Sequence, residues 1–325
     1  MATARRSSSS YGGFADGVII RGMPLLTLYP GNVYWVDSNG GGGSRGTFTN
    51  PVATVSEAEA LLTTDNGDII VIKPGHAETL TATLDFDLSG FAIIGLGFGD
   101  NRPTISTGVT GAGDDLWDFA GDDVVVYNMK FADTAAGGSA VKAINCSGDN
   151  MHVENCYFLM GSEMDTVLTH DTTGKKGLQF IGNTVYGREA GPDAGLRFEK
   201  LHTNAVIAGN RWLLTQSSGI DSGCIIFMSN GNASEDGNHL IDGDYAAGLA
   251  DGEPFKQETE GVQPFSLMKD CNIVGADASD NLGPTPANGF AYVRNAVVEE
   301  ATGGPEANVF GGGSIYRPLV SSPAI

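Results

Sequence analysis

One short pattern returns four times in this chain at almost constant spacing, and nothing else in the sequence narrows the possible folds as much. It reads Val124-x-Val126-x-Asn128-Met129-x-Phe131 and then Met151-x-Val153-x-Asn155-Cys156-x-Phe158, with further copies centred on Asn183 and Asn210. The steps between successive asparagines are 27, 28 and 27. With the asparagine as origin, the residue two before it is Val126, Val153, Ile181 or Ala208, and the residue three after it is Phe131, Phe158, Tyr186 or Leu213. Apolar residues alternating with period two on both sides of a polar turn residue describe two short strands meeting at a corner, each with one buried face. A unit of this kind cannot bury its apolar face alone and must stack on its neighbours.

The same frame extends outward with glycine at the corner, as Phe91-x-Ile93-x-Gly95-Leu96-x-Phe98, Ile241-x-Gly243 and Ile273-x-Gly275, and ends on Val293-x-Asn295-x-x-Val298. Asn and Gly both accept the left-handed backbone that a tight corner requires. Asn128, Asn155, Asn183 and Asn210 are therefore expected to form a corner ladder, their amides stacked at about 4.8 Å per rung. The expected fold is all-β: a parallel β-solenoid of about eight coils, roughly 35 to 40 Å long. Over roughly Gly67 to Val298 the pattern resembles the right-handed parallel β-helix of the pectin-lyase-like superfamily. That resemblance implies a fold and leaves function open.

The expected organisation is an arm and strap over 1–31, a strand, glycine-rich loop and capping helix over 32–66, the β-helix over 67–298, and a tail over 299–325. The arm is rich in Ser and Gly and carries Arg5, Arg6 and Tyr11. The strap that follows, with Ile19, Ile20, Arg21, Leu25 and Leu26, is apolar but broken by Gly and Pro, and reads as an extended segment lying on another surface. A helix over 55–62, with Ser56 and Glu57 near its start, is placed to cap the open apolar end of the solenoid.

The net charge of −21 argues against a nucleic-acid partner, because phosphate binding needs clustered cations. No stretch approaches the roughly 18 apolar residues of a membrane span, and the first residues lack the apolar core of a secretion signal, so folding in the cytoplasm is expected. Four cysteines do not make a disulfide framework in 325 residues, and Cys156 and Cys271 read as buried thiols.

No catalytic signature emerges. Gly-His-Gly, Arg-Ile-Lys and Arg-x-Pro-x-x-Arg segments of pectin-active β-helix enzymes are missing, as are the metalloprotease and phosphate-loop motifs. Glycoside hydrolysis needs only two carboxylates about 5 to 9 Å apart, and Glu154, Glu163, Asp165, Asp171, Glu189, Asp193 and Glu199 offer pairs across adjacent coils. The five histidines include no ligand pair, and are expected at surface or corner positions. Asp114, Asp115 and Asp118 are more simply a solvated loop than a calcium site. No cofactor and no metal are expected.

Placed in the same frame, Tyr127, Tyr157, Phe180, Val185, Ile207 and Trp212 fall at outward positions, which would give a continuous external apolar stripe. Three occupants compete for it: the chain's own loops, identical subunits packed side by side as a trimer, or sugar rings stacked on Tyr157 and Trp212.

The segments Val33-Tyr-Trp-Val-Asp-Ser-Asn39, Asn50-Pro-Val-Ala-Thr-Val-Ser-Glu-Ala58 and Gly67-Asp-Ile-Ile-Val-Ile-Lys-Pro-Gly-His76, with Ala15-Asp-Gly-Val-Ile-Ile-Arg-Gly-Met-Pro24, resemble structural proteins of tailed bacteriophages encoded near head genes. The resemblance is confined to these N-terminal segments and implies a non-enzymatic capsid decoration or cement protein, on the virion surface after assembly in the host cytoplasm. It implies a major capsid protein as partner, gripped by Arg5, Arg6, Tyr11, Ile19, Ile20, Arg21, Leu25 and Leu26, and a homotrimer. The alternative is a tailspike or fibre that binds or cleaves surface polysaccharide.

Overall fold

The computed structural model describes residues 18–20, 23–25, 31–40, 45–108, 115–134, 141–161, 164–187, 194–200, 202–214, 223–227, 239–249, 255–257, 267–275, 292–294 and 297–300. Three parallel sheets wrap one core. The first has ten strands, from Val33–Val36 to Tyr292–Arg294; the second has nine, from Ala77–Leu80 to Val297–Glu300; the third has seven, from Leu84–Phe86 to Phe255–Gln257. Each strand pairs with its counterpart one coil away, so Val126 lies between Ile93 and Val153, and Phe131 between Ile105 and Phe158. The solenoid expected from the repeat is the structure.

The residues that turn the chain from the first sheet into the second have positive φ: Asn128 (58°), Asn155 (54°), Gly182 (62°), Gly209 (65°), Gly243 (67°) and Asp270 (54°). From Asn128 to Gly209 the coil is 27 residues throughout. Asn183 and Asn210 are thus not corner residues but stand one place beyond, in the slot of Met129 and Cys156. Because side chains alternate with period two, a one-residue slip exchanges the two faces of a strand. Phe180, Val185, Ile207 and Trp212, expected outside, are all 0% exposed. Tyr186, expected inside, is 40% exposed.

Two further copies were misplaced by the same frame. Phe98 is 88% exposed, because a short 3-10 turn at Gly99–Asn101 lengthens that coil and hands the inward slot to Ile105. Ile273 belongs to the second sheet, beside Ala246, and the corner of that coil is Asp270.

Moved inside, Asn183 and Asn210 close a gap in the backbone pairing. The peptide N–H just past each corner has no strand carbonyl in reach, and a side chain of the next coil accepts it. Cys156 N donates to Asn183 Oδ1 at 2.8 Å, Asn183 N to Asn210 Oδ1 at 2.8 Å, and Asn210 N to Asp244 Oδ1 at 2.9 Å. The amides also donate backward, Asn183 Nδ2 to the Val153 carbonyl and Asn210 Nδ2 to the Phe180 carbonyl. Trp212 Nε1 donates to Asp244 Oδ2 at 2.9 Å. Burial drives the Asp244 carboxyl up to about 6 against these hydrogen bonds. Outside, the corner ladder is shorter: Asn155 Nδ2 donates to Asn128 Oδ1, and Asn128 Nδ2 to the Gly95 carbonyl.

Most of the remaining interior is apolar. Phe131 stacks on Phe158 at 5.0 Å, Phe158 on Phe180 at 5.9 Å and Phe180 on Trp212 at 5.5 Å, so aromatic rings run down the axis. All four cysteines are buried and unpaired with one another, and burial pushes the Cys146, Cys156 and Cys271 thiols up to about 12.

The helix runs Val55–Glu59, shorter than expected. Thr54 caps it, Oγ1 accepting from Glu57 N, while Glu57 Oε2 accepts from Ala53 N. Val55 and Ala58 are buried in the same core as Ile70 and Ile72, so the helix does cap the rod. The stack begins one coil earlier than Gly67, because Val33–Val36 already pairs with Ile69–Ile72. Ahead of it, Val18–Ile20 and Met23–Leu25 pair antiparallel with each other, so the strap folds back rather than running extended. Arg5, Arg6, Tyr11, Arg21 and Leu26, and residues 301–325, lie outside the described residues.

Replacing Val153 or Phe158 by Asp places an unpaired charge in this core and is expected to abolish folding, read as loss of the β signal in circular dichroism. Asn210→Leu strips an acceptor from Asn183 N and a donor from the Phe180 carbonyl. Urea unfolding should show a loss of about 2 to 4 kcal/mol.

Candidate functional site

Sheet faces differ in chemistry, and the outward face of the third sheet concentrates polar groups. Trp117, Ile144, Leu168 and Leu196 point inward at one register position, and Phe119, Cys146, His170 and Phe198 at another. The positions between them face out, so Asp118, Asn145, Thr169 and Arg197 form one row across neighbouring coils, while Asp115, Lys142 and Thr166 form a second row at the start of these strands.

Asn145 is the hub. Its Nδ2 lies 3.3 Å from both Asp118 Oδ1 and Asp171 Oδ2, and its Oδ1 accepts from Lys142 Nζ at 3.4 Å. Lys142 Nζ also stands 3.8 Å from Asp115 Oδ2. Asp115, Asn145, Thr166 and Thr169 are buried, Asn145 and Thr169 at outward positions. Asp115 Oδ1 and Thr169 Oγ1 have no hydrogen-bond partner among the described residues. Burial raises the Asp115 carboxyl to about 6; Lys142 opposes this, while Asp118 and Asp171 add to it. Burial raises Asp118 as well. A carboxyl that holds its proton to near pH 6 beside other carboxylates is chemically able to act as a general acid, and the whole row can hydrogen-bond a hydroxyl-rich ligand.

Among the described residues no group of three or more His, Cys, Asp or Glu is arranged to hold a metal ion. Asp115 and Asp118 sit on the strand Asp115–Phe119 rather than in a loop. Of the carboxylates singled out from sequence, Asp171 joins this cluster, Glu199 pairs with Arg197 at 3.4 Å, and Glu154 pairs with His152 at 3.3 Å on the first sheet. Glu163, Glu189 and Asp193 lie outside the described residues, as does the side chain of Asp165. Asp118, Asn145 and Lys142 were missed as a unit. The repeat carried the signal, since Asp118 and Asn145 are one 27-residue coil apart.

Four histidines are interior rather than at the surface. His76, His170, His202 and His239 are all buried, and the last three follow one another along the rod with ring centroids 4.5 and 5.9 Å apart. Burial lowers His170, and lowers His202 to about 2, so His202 stays neutral at ordinary pH.

The six residues expected in one external stripe do not share a face. Only Tyr127, on the first sheet, and Tyr157, on the second, are outward and half-buried. Among the described residues, a second apolar cluster of Trp35, Ile69, Val71 and Ile94 lies at the start of the first sheet and is buried. The chain's own loop covers part of it: Phe48 meets Trp35 edge-on at 4.9 Å, with Lys73 Nζ over the Phe48 ring.

No protein-family model matches the chain, and no curated protein matches it in sequence. Solved structures do. A pectin methylesterase from Aspergillus niger aligns over 90% of this chain and 92% of its own at 14% identity, with a TM-score of 0.51. Pectate lyase Pel9A aligns over 83% and 77% at 13% identity, TM-score 0.49. Geobacillus virus E2 ORF18 aligns over 77% of this chain and 58% of its own at 11% identity, TM-score 0.41. At these identities the likeness is one of fold, a parallel β-helix compatible with enzymatic activity. Among the described residues no helix is long and apolar enough to cross a membrane.

The Asp115 carboxyl lies above its ordinary value of 3.8, so the folded chain holds this proton more tightly than the unfolded one. The stability it contributes is full below that ordinary value and is lost as pH rises through about 6. Asp115→Asn is expected to leave the melting temperature near pH 4 almost unchanged and to raise it at pH 7. Scanning calorimetry across that range checks this; equal shifts at both pH values would contradict it.

Proposed function

We propose that the chain is a structural protein of a virion, a β-helical rod that decorates the capsid surface as a trimer after assembly in the host cytoplasm. The N-terminal segment grips the major capsid protein, and the rod stands off the shell. The observation that carries this reading is the hairpin of Val18–Ile20 and Met23–Leu25, which pairs with none of the three sheets of the rod among the described residues. Five residues separate it from Gly31, a reach of at most roughly 20 Å, so a small separate module sits close to the capped end of the rod. The likeness of this segment to tailed-phage structural proteins supports the same reading.

A second reading is favoured by Asp115 and its neighbours. The row Asp118, Asn145, Thr169 and Arg197, with Asp115 and Lys142 alongside, would bind a polysaccharide along the third sheet, and Asp115 would serve as proton donor if it is cleaved. In that case the chain acts on a host surface glycan rather than on the shell.

Deleting residues 1–25 separates the two. The truncated rod should keep its melting temperature within a few degrees, because the hairpin contributes no strand to the sheets. It should lose binding to particles assembled without the protein, counted as copies per particle by quantitative mass spectrometry. Undiminished particle binding would remove the N-terminal segment from the mechanism. Glycan binding that survives the deletion and falls at least about tenfold in Asp115→Asn or Arg197→Ala would favour the second reading.

A further inference from the structure

We infer that the outer face of the second sheet is the surface by which one copy of this rod packs against another, meeting an acidic flank of its neighbour. The inference rests on the trimeric arrangement proposed above and names the face that forms it.

The chain holds 39 acidic residues against 18 basic ones. Their distribution over the outward positions of the rod is uneven. The third sheet presents Asp85 and Asp118, and the first presents Glu154 and Asp242. On the second sheet, the seven strands from Ala77–Leu80 to Tyr245–Leu249 carry no Asp or Glu at any outward position whose side chain is described. The one carboxylate within those strands, Glu78, turns inward, where Val55 N and His76 Nε2 meet it. Asp133, just past the strand Lys130–Ala132, is engaged at the edge by Thr107 Oγ1 and Met164 N.

What occupies these positions instead is tyrosine and cation. Lys130, Tyr157, Thr184, Arg211 and Tyr245 follow one another coil by coil in a single row. Tyr186 stands in the adjoining row, 40% exposed. Burial raises the Tyr157 hydroxyl, Tyr186 adds to this and Arg102 opposes it. Tyr and Arg are enriched, and Lys, Asp and Glu depleted, in surfaces that bind other proteins.

Phe98 marks the same edge. It is 88% exposed, on the loop that enters this sheet, and the loop is tied down on both sides. Asn128 Nδ2 donates to the Gly97 carbonyl, Gly75 N to the Asn101 carbonyl, and Asn101 N to the Phe98 carbonyl. A phenyl ring held rigidly in water forgoes the gain of burial unless a partner supplies it.

Two observations favour a second copy over another protein. Acidic rods repel one another wherever two acidic faces meet, so a lengthwise contact needs a stretch poor in acid, and the seven strands from Ala77–Leu80 to Tyr245–Leu249 supply one among the described residues. Its side chains also repeat once per rung, at about 4.8 Å, which a second rod of the same pitch matches along its whole length. The contact is heterologous, cationic face against acidic flank, the kind that closes into a ring.

The test is the mass of the full-length chain in solution, by light scattering and sedimentation at low and high salt. The wild type should run at three times 33.7 kDa at low salt and dissociate as salt rises. Arg211→Glu combined with Phe98→Ser should raise the dissociation constant at least about tenfold, with an unchanged circular dichroism spectrum, while Arg211→Lys and the first-sheet control Gln179→Glu leave the mass intact. A wild-type chain that is monomeric at all salts would overturn both the trimer and the face. A trimer that ignores the double substitution, or that Gln179→Glu breaks instead, would overturn the face alone.

Discussion

At the turns from the first sheet to the second at Asn155, Gly182 and Gly209, one residue passes through the left-handed region and the next presents its peptide N–H to a side chain of the coil beyond rather than to a strand carbonyl. An unpaired N–H inside a dry core costs on the order of 1 to 3 kcal/mol, and the cost recurs with every coil. The chain meets it by placing an acceptor in the same slot of the coil beyond, as Asn183 does for Cys156, Asn210 for Asn183 and Asp244 for Asn210. Stacking therefore satisfies the backbone and not only the apolar side chains. Coil length is held at 27 residues where this relay runs from Cys156 to Asn210, because a residue more or less would move the acceptor to the other face.

The three faces of the rod follow from what each sheet places outward. Apolar residues at the start of the first sheet are covered in part by Phe48. Polar residues of the third are tied to one another through Asn145, leaving Asp115 with a proton affinity unusual for a carboxylate. The second carries tyrosines and cations on an otherwise acidic molecule. A parallel β-helix with these faces can serve as scaffold or as enzyme, and the fold it shares with pectin-active proteins does not choose between them.

The repeat made much of this legible before any coordinates. A period near 27, alternation of period two and Asn or Gly at the corner together specified a parallel solenoid, its inward valines and phenylalanines at Val126, Phe131, Val153 and Phe158, and its buried thiols at Cys156 and Cys271. The frame failed where it assumed that asparagine always marks the corner. At Asn183 and Asn210 a glycine precedes the asparagine and takes the left-handed position, so the true step stayed 27 and the apparent step became 28. That single slip turned Phe180, Val185, Ile207 and Trp212 from core into surface.

The sequence alone determined the architecture, because periodicity is a local property that any window of the chain displays. It could not assign Asn183 and Asn210 to the interior, since a buried amide and an exposed one look alike until their hydrogen-bond partners in the neighbouring coils are in place. The tertiary structure decided that, and with it which carboxyls are raised toward pH 6 and which described stretch of the rod's surface is poor in acid. Those properties belong to pairs of coils, and only stacking brings the pairs together.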